Sequence, residues 1–265
     1  MSQKTPNPAP SQADGAVETK RFAGLTFEDF RRRAADPTLS RFEKIGFPDA
    51  MREGFEAEIF ADIRVKLTSL QKKGATVLDV GPGCSDLPRL LVQHCITHEQ
   101  RLFLMDAQEM LDQLPDGPGV SKVPGRFPRD GGALVPLMGE GADAIIVYSV
   151  LQHVFMDANP FAFLDELLGL LKPGGELLLG DIPNISKLHR FLSSEAGIVY
   201  HKQYMRTDEP PQVVTGKIEH GRITDAVVLS LVERARTAGF DAYVLPQPAS
   251  LPMANRREDI YVRRP

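Results

Sequence analysis

A chain of 265 residues with 42% hydrophobic side chains can bury a substantial core, and its formal net charge of −4 excludes a global attraction to nucleic acid or an anionic membrane. No run of about 18 apolar residues occurs and MSQKTPNPAPSQADGAVETK has no apolar leader, so a cytoplasmic protein that neither spans nor rests on a membrane is expected. Cys84 and Cys95 are too few for a disulfide framework, which suits a reducing compartment.

Residues 1–20 are rich in Pro, Ala, Ser and Gln with hardly a large apolar side chain, and read as a disordered tail. Helical spacing follows over 26–35 and again over 48–70, where Met51, Phe55, Ile59, Ile63, Leu67 and Leu70 recur every three or four residues. Residues 21–72 are therefore expected to form an N-terminal helical cap, whose Phe42, Phe47, Phe55 and Arg52 could close a pocket.

From residue 73 to 265 the pattern becomes that of an α/β core. Strand ATVLDV (75–80) leads through a glycine turn to a helix ending near Cys95, then strand RLFLMD (101–106) and a helix around 109–114. A short strand is expected near 120–123, a strong one at 143–149 and a helix at 160–171, ended by Lys172, Pro173, Gly174 and Gly175 before strand 176–182. The irregular, basic and aromatic stretch 183–223 reads as a lid insert, followed by a helix over 224–240 and strands DAYVLP and DIYVRR. This order calls for a Rossmann-like three-layer α/β sandwich.

The chemistry concentrates in VLDVGPGCSDLPRLL (77–91). Asp79 ends a strand, Gly81 and Gly83 leave the turn without Cβ atoms, and the following helix aims N–H groups at anionic ligand atoms such as a carboxylate. Asp106, at the end of the next strand, can accept hydrogen bonds from both ribose hydroxyls of a nucleoside, its plainer alternative being a helix cap. The third position of a dinucleotide G-x-G-x-x-G fingerprint is Asp86 rather than Gly, which weighs against a nicotinamide-dependent oxidoreductase, the rival for this unit. His94, Cys95 and His98 lack further ligands, and no metal is expected.

VLDVGPGCSDL, LFLMDAQEML, DAIIVYSVLQHV and LLKPGGELLLGDI together resemble the ordered motifs of class I S-adenosylmethionine (SAM)-dependent methyltransferases. The resemblance implies a mostly parallel seven-stranded sheet with an antiparallel last strand and SAM as cofactor. It assigns Asp79, Gly81 and Gly83 to the methionine portion, Asp106 to the ribose, and Ala107 or Gln108 to the neighbourhood of the adenine. Arg126 and Phe127, with Gly125 and Asp130, are candidates for the adenine contact, and Tyr148 and Ser149 for the methyl site. Ser85 stands where the family often has a third glycine. EKIGFPDAMREG, GRFP and GDIPNISKLHRF further resemble methyltransferases of bacterial surface-polysaccharide biosynthesis, which implies a sugar acceptor.

A hydroxyl acceptor benefits from a base. His153 and Asp181, just beyond the fourth and fifth strands, are the candidates, with backbone-bonded helix start and turn former as their plainer roles. His189, Arg190, Tyr200, His201, Lys202 and Tyr204 in the insert could clamp an anionic acceptor, or be solvated loop charge. Expected overall is a methyltransferase acting on a small molecule, by O-methylation with N-methylation as the alternative; a non-catalytic SAM-binding module is the other reading. Oligomeric state is left open, a homodimer included.

Overall fold

The computed structural model describes residue 22 and residues 24–213 and 219–265, so the expected tail at 1–20 lies outside the described residues. Seven strands form one sheet: β1 (Thr76–Val80), β2 (Arg101–Asp106), β3 (Val120–Pro124), β4 (Ala142–Tyr148), β5 (Leu171–Pro183), β6 (Asp241–Pro246) and β7 (Arg257–Arg263). Their order is β3-β2-β1-β4-β5-β7-β6, and only β7 runs antiparallel to its neighbours, as the sequence motifs imply.

β1 and β4 are buried along their whole lengths, as strands covered on both faces must be. Alternation sends Leu78, Ile145, Val147, Leu177 and Leu179 to one face, where they meet Leu151 and Val154 of α7 (Leu151–Asp157), Phe163 and Leu167 of α8 (Pro160–Gly169) and Leu231 of α11 (Asp225–Thr237). Val77, Ala144, Ile146 and Leu178 point the other way, onto Ile59 and Ile63 of α3 (Glu56–Lys66) and Leu91 and Cys95 of α4 (Asp86–Thr97). The result is three layers with a core on each side of the sheet.

The cap begins with α1 (Phe27–Ala35) and α2 (Arg41–Lys44), each opened by a capping box, Thr26 with Asp29 and Ser40 with Glu43. Arg31 pairs with Glu109 at 2.7 Å and the Lys44 amine donates to Gln113 at 2.8 Å, pinning the cap to α5 (Gln108–Leu111) and the turn beyond it. The single helix expected over 48–70 is instead three pieces: a 3₁₀ turn at Asp49–Met51, then α3, then a 3₁₀ turn at Thr68–Gln71. Gly54, at φ 81°, breaks the run in a conformation that cannot continue a right-handed helix.

Two further expectations change. Lys172–Gly175 does not simply end a helix but lies within β5, whose register against β4 shifts there; a Cβ on Gly175 would sit 2.6 Å from the Ala142 carbonyl oxygen. The insert is not irregular throughout: Asn184 caps α9 (Ile185–Leu192) and Ser194 caps α10 (Glu195–Met205). Between α5 and α7, α6 (Val135–Met138) completes the helices. No helix among the described residues is long and apolar enough to cross a membrane.

Candidate active site

The strand order reverses direction between β1 and β4, and in an open parallel sheet that crevice, at the carboxyl ends of the strands, is where a ligand fits. Here the crevice opens into a cleft of about 1040 Å³, open space at the mouth included, enough for a nucleoside-sized ligand. Gly81 and Gly83 from the first turn, Asp106 from the end of β2, Gly125–Phe127 beyond β3 and Tyr148–Val150 beyond β4 form its floor. Phe27, Phe30, Ile45, Phe47, Arg52 and Glu56 of the cap form the opposite wall.

The two turn glycines are required sterically. Gly81 and Gly83 have φ of 72° and 68°, and a Cβ on them would come within 2.6 Å of Val150 and of Ile45 respectively. Asp106 fixes the turn from the neighbouring strand: its two oxygens accept from Gly83 N–H at 2.9 Å and Ala107 N–H at 2.7 Å, each keeping a lone pair for a ligand. Burial, moderated by those two N–H groups, pushes its carboxyl up to about 6.

Asp79 behaves differently. It is buried beneath the turn and does not line the cleft, and burial followed by the nearby Asp106 charge pushes its carboxyl up to about 8. Because that value lies above the ordinary 3.8, folding is favoured while Asp79 is protonated. Its contribution is intact below pH of about 4 and lost as pH rises through about 8. Asp79→Asn is accordingly expected to raise the melting temperature of the ligand-free protein at pH 8 while changing it little at pH 4. Melting curves at the two pH values check this, and an equal shift at both would refute it.

His153 lines the cleft with its ring edge against Phe30, centroids 4.7 Å apart. Burial outweighs a hydrogen bond with the Leu25 backbone and lowers its pKa to about 4, so the ring is neutral at physiological pH. Asp181 is placed otherwise. It does not line the cleft but lies buried, accepting from Ser149 Oγ at 2.5 Å and Arg52 Nη2 at 2.7 Å, with Arg257 Nε 3.8 Å away. Burial pushes its carboxyl up, yet the guanidiniums of Arg257 and Arg52 and the Ser149 hydroxyl prevail and hold it below the usual range. Ser149 and Asp181, at φ 61° and 58° on adjacent strand ends, are both left-handed, a conformation the shared Arg52 helps to hold.

Of the other sequence-derived candidates, Gly81, Gly83, Asp106, Arg126, Phe127, Tyr148 and Ser149 meet in the cleft, whereas Ala107 is packed against Cys84 and Met110 and Gln108 is exposed, bonded to Asp112. The insert residues do not reach it. Arg190 pairs with Asp225, His189 lies 3.9 Å from Glu219, Tyr200 stacks on Tyr204, and neither His201 nor Lys202 lines the cleft. His94 and His98 each bond a backbone carbonyl, of Leu70 and His94. Among the cap residues the sequence indicated, Phe47 and Arg52 line the cleft, while Phe42 and Phe55 pack in the core. Glu56, Phe27, Phe30 and Ile45 were not foreseen. An acidic residue within the apolar periodicity of α3 was the one signal that could have marked Glu56.

Residues 78–179 match the family of methyltransferase domains. The chain carries a class I methyltransferase domain. SAM is its cofactor. The Cβ-free turn, the Asp106 carboxylate at the end of β2 and the size of the cleft all fit that molecule. The methyltransferase finds no match among curated proteins. Among solved structures it shares its fold with the plantazolicin methyltransferase BpumL bound to a pentazolic desmethylPZN analogue and S-adenosylhomocysteine (SAH), at 12% identity and TM-score 0.56 over 96% of this chain and 99% of that one. A structure of the Haloferax volcanii Trm112 methyltransferase activator with a methyltransferase matches at 17% identity and TM-score 0.54, over 89% and 98% of the chains. The N-methyltransferase NodS of Bradyrhizobium japonicum with SAH matches at 14% identity and TM-score 0.50, over 90% and 98%.

Proposed function

We propose that this methyltransferase acts on a small molecule, by O-methylation of a hydroxyl presented beside His153. The observation carrying this reading is that His153 is the cleft's neutral imidazole, on the first turn beyond β4, next to the Tyr148–Val150 segment. When bound, SAM supplies an electrophilic methyl group on a sulfonium sulfur. The chain supplies position: Asp106 holds the nucleoside end, the glycine turn leaves room for the methionine end, and Phe30 fixes the His153 ring. His153 would accept the proton of the hydroxyl as that oxygen is methylated. A sugar or other anionic metabolite is the acceptor class we favour, Arg126 on the cleft, 3.7 Å from Asp157, being the cation that would meet it. The insert, with His189, Arg190, Tyr200, His201, Lys202 and Tyr204, is proposed to act only as an outer surface for such an acceptor, since it does not line the cleft. Asp181 is better read as the carboxylate that holds Arg52 and Ser149 than as a base.

N-methylation is favoured by a different observation. A histidine whose pKa is near 4 is a weak base, whereas a neutral amine attacks through its own lone pair and needs no base in that step; Asp157 at the cleft, 3.7 Å from Arg126, suits the methylated ammonium that results until it loses its proton to water. Calorimetric titration with SAM, SAH and NAD tests the cofactor, binding of NAD alone being the adverse result. With an acceptor found by screening, His153→Gln is expected to lower kcat about 100-fold or more for O-methylation. A change of only a few-fold would favour the amine reading.

A further inference from the structure

Arg52 and Glu56 are opposite charges, both buried, that face one cleft without pairing with each other. Arg52 spends Nη2 on Ser149 and Asp181, leaving its buried Nε without a partner. Neither Glu56 oxygen reaches a partner at hydrogen-bonding geometry, although the Ser85 hydroxyl, the Arg52 charge and Leu87 N–H are near enough to temper the upward push of burial on its carboxyl. Buried polar atoms left unpaired are costly and uncommon, so the donor Nε of Arg52, whose charge Asp181 already balances, and the two Glu56 oxygens call for a ligand that brings an acceptor to the one and a cation to the other.

Their places narrow that ligand. Glu56 sits beside Ser85 and Leu87, where the glycine turn enters α4, and Arg52 beside Ser149 and Tyr148, next to the Val150 that abuts Gly81. The pair thus brackets the turn from two sides. Sequence reasoning expected the amino end of α4 to receive the ligand's carboxylate, but Glu56 already brings a negative charge there. An ammonium suits that spot, and the carboxylate is left to the guanidinium.

We propose that Glu56 and Arg52 form a clamp for an α-amino acid group, Glu56 taking the ammonium and Arg52 the carboxylate, and that its occupant is the methionine end of the cofactor. Asp79, beneath the turn, then touches neither charge. Arg52 also ties this end to the Ser149–Asp181 pair, so that seating the cofactor and docking the cap onto the ends of β4 and β5 depend on one side chain. The assignment rests on the cofactor identity stated above.

The test compares SAH with 5′-methylthioadenosine, which has the same nucleoside and thioether but no amino acid, by calorimetry on the full chain. Wild type is expected to prefer SAH. Glu56→Gln, which is isosteric, and Arg52→Lys, which keeps the charge but loses the guanidinium fork, are each expected to weaken SAH about 10- to 100-fold. They should change 5′-methylthioadenosine by no more than about twofold, which also shows that the variants are folded. Equal wild-type affinity for the two nucleosides, or an unchanged preference in both variants, overturns the clamp while leaving the cofactor intact; the clamp would also fall if it served an amino-acid acceptor, since the preference would then survive. Binding of neither nucleoside by wild type overturns the cofactor and the clamp together.

Discussion

Asp106→Ala is expected to weaken SAH binding about 100-fold, measured by calorimetry near pH 8. Two effects add. The variant removes the carboxylate expected to accept the ribose hydroxyls, and hydrogen bonds to a charged acceptor contribute about 1.5–3 kcal/mol each. It also releases the Gly83 and Ala107 N–H groups that Asp106 holds at 2.9 and 2.7 Å, so the turn loses its tether to β2. The sign with pH follows from burial. With its carboxyl pushed up to about 6, Asp106 is ionised at pH 8 and takes up a proton as pH falls through about 6. Wild-type affinity should therefore fall below that pH, while the alanine variant lacks this part of the dependence. Equal affinities at pH 8 would remove Asp106 from the nucleoside site.

Asp181→Ala is expected to destabilise the fold by about 3–5 kcal/mol in denaturant unfolding at neutral pH, because removing one member of a buried ion pair leaves the other uncompensated. Here two guanidiniums are stranded. Arg52, 3% exposed at its side chain, loses its ion pair, and Arg257, 12% exposed, loses the carboxylate 3.8 Å from Nε. Asp181 has its folded pKa depressed, so the stability it gives is present above its ordinary value of 3.8 and is lost as pH falls through the lower folded value. The difference between wild type and variant should consequently shrink under strongly acidic conditions. Ser149→Ala, which removes one hydroxyl from the same cluster, should cost only about 1 kcal/mol. A neutral Asp181→Ala would show that the cluster is hydrated rather than dry.

The parts of the site that the sequence disclosed are those whose chemistry is local. A turn between a buried strand and a helix needs Gly81 and Gly83 whatever surrounds it, and Asp106 follows at a strand end fixed by the run RLFLMD. The insert misled for the converse reason. Its charges look free along the chain, but Arg190 finds Asp225 and Asn184 donates to both Asp225 and Glu258, from elements far away in sequence. Asp181 looked like a candidate base because a strand-end carboxylate beside a cofactor is well placed to be one. What the sequence could not show was that Arg52 and Arg257 approach it from opposite ends of the chain and lower its basicity.

By itself, then, the sequence determined the alternation of strands and helices, the direction of the last strand, and the glycine turn with the Asp106 carboxylate beside it. Periodicity, glycine sterics and motif order act over a few residues and leave their mark in the chain. Only the tertiary structure decided which charges are spent and which remain available. Ion pairing in a buried environment depends on distances between segments some hundred residues apart, such as Arg52 with Asp181, and on the exclusion of water. The same long-range packing leaves the Glu56 oxygens and the Arg52 Nε without hydrogen-bond partners on the cleft wall, and places His153 there as a neutral ring.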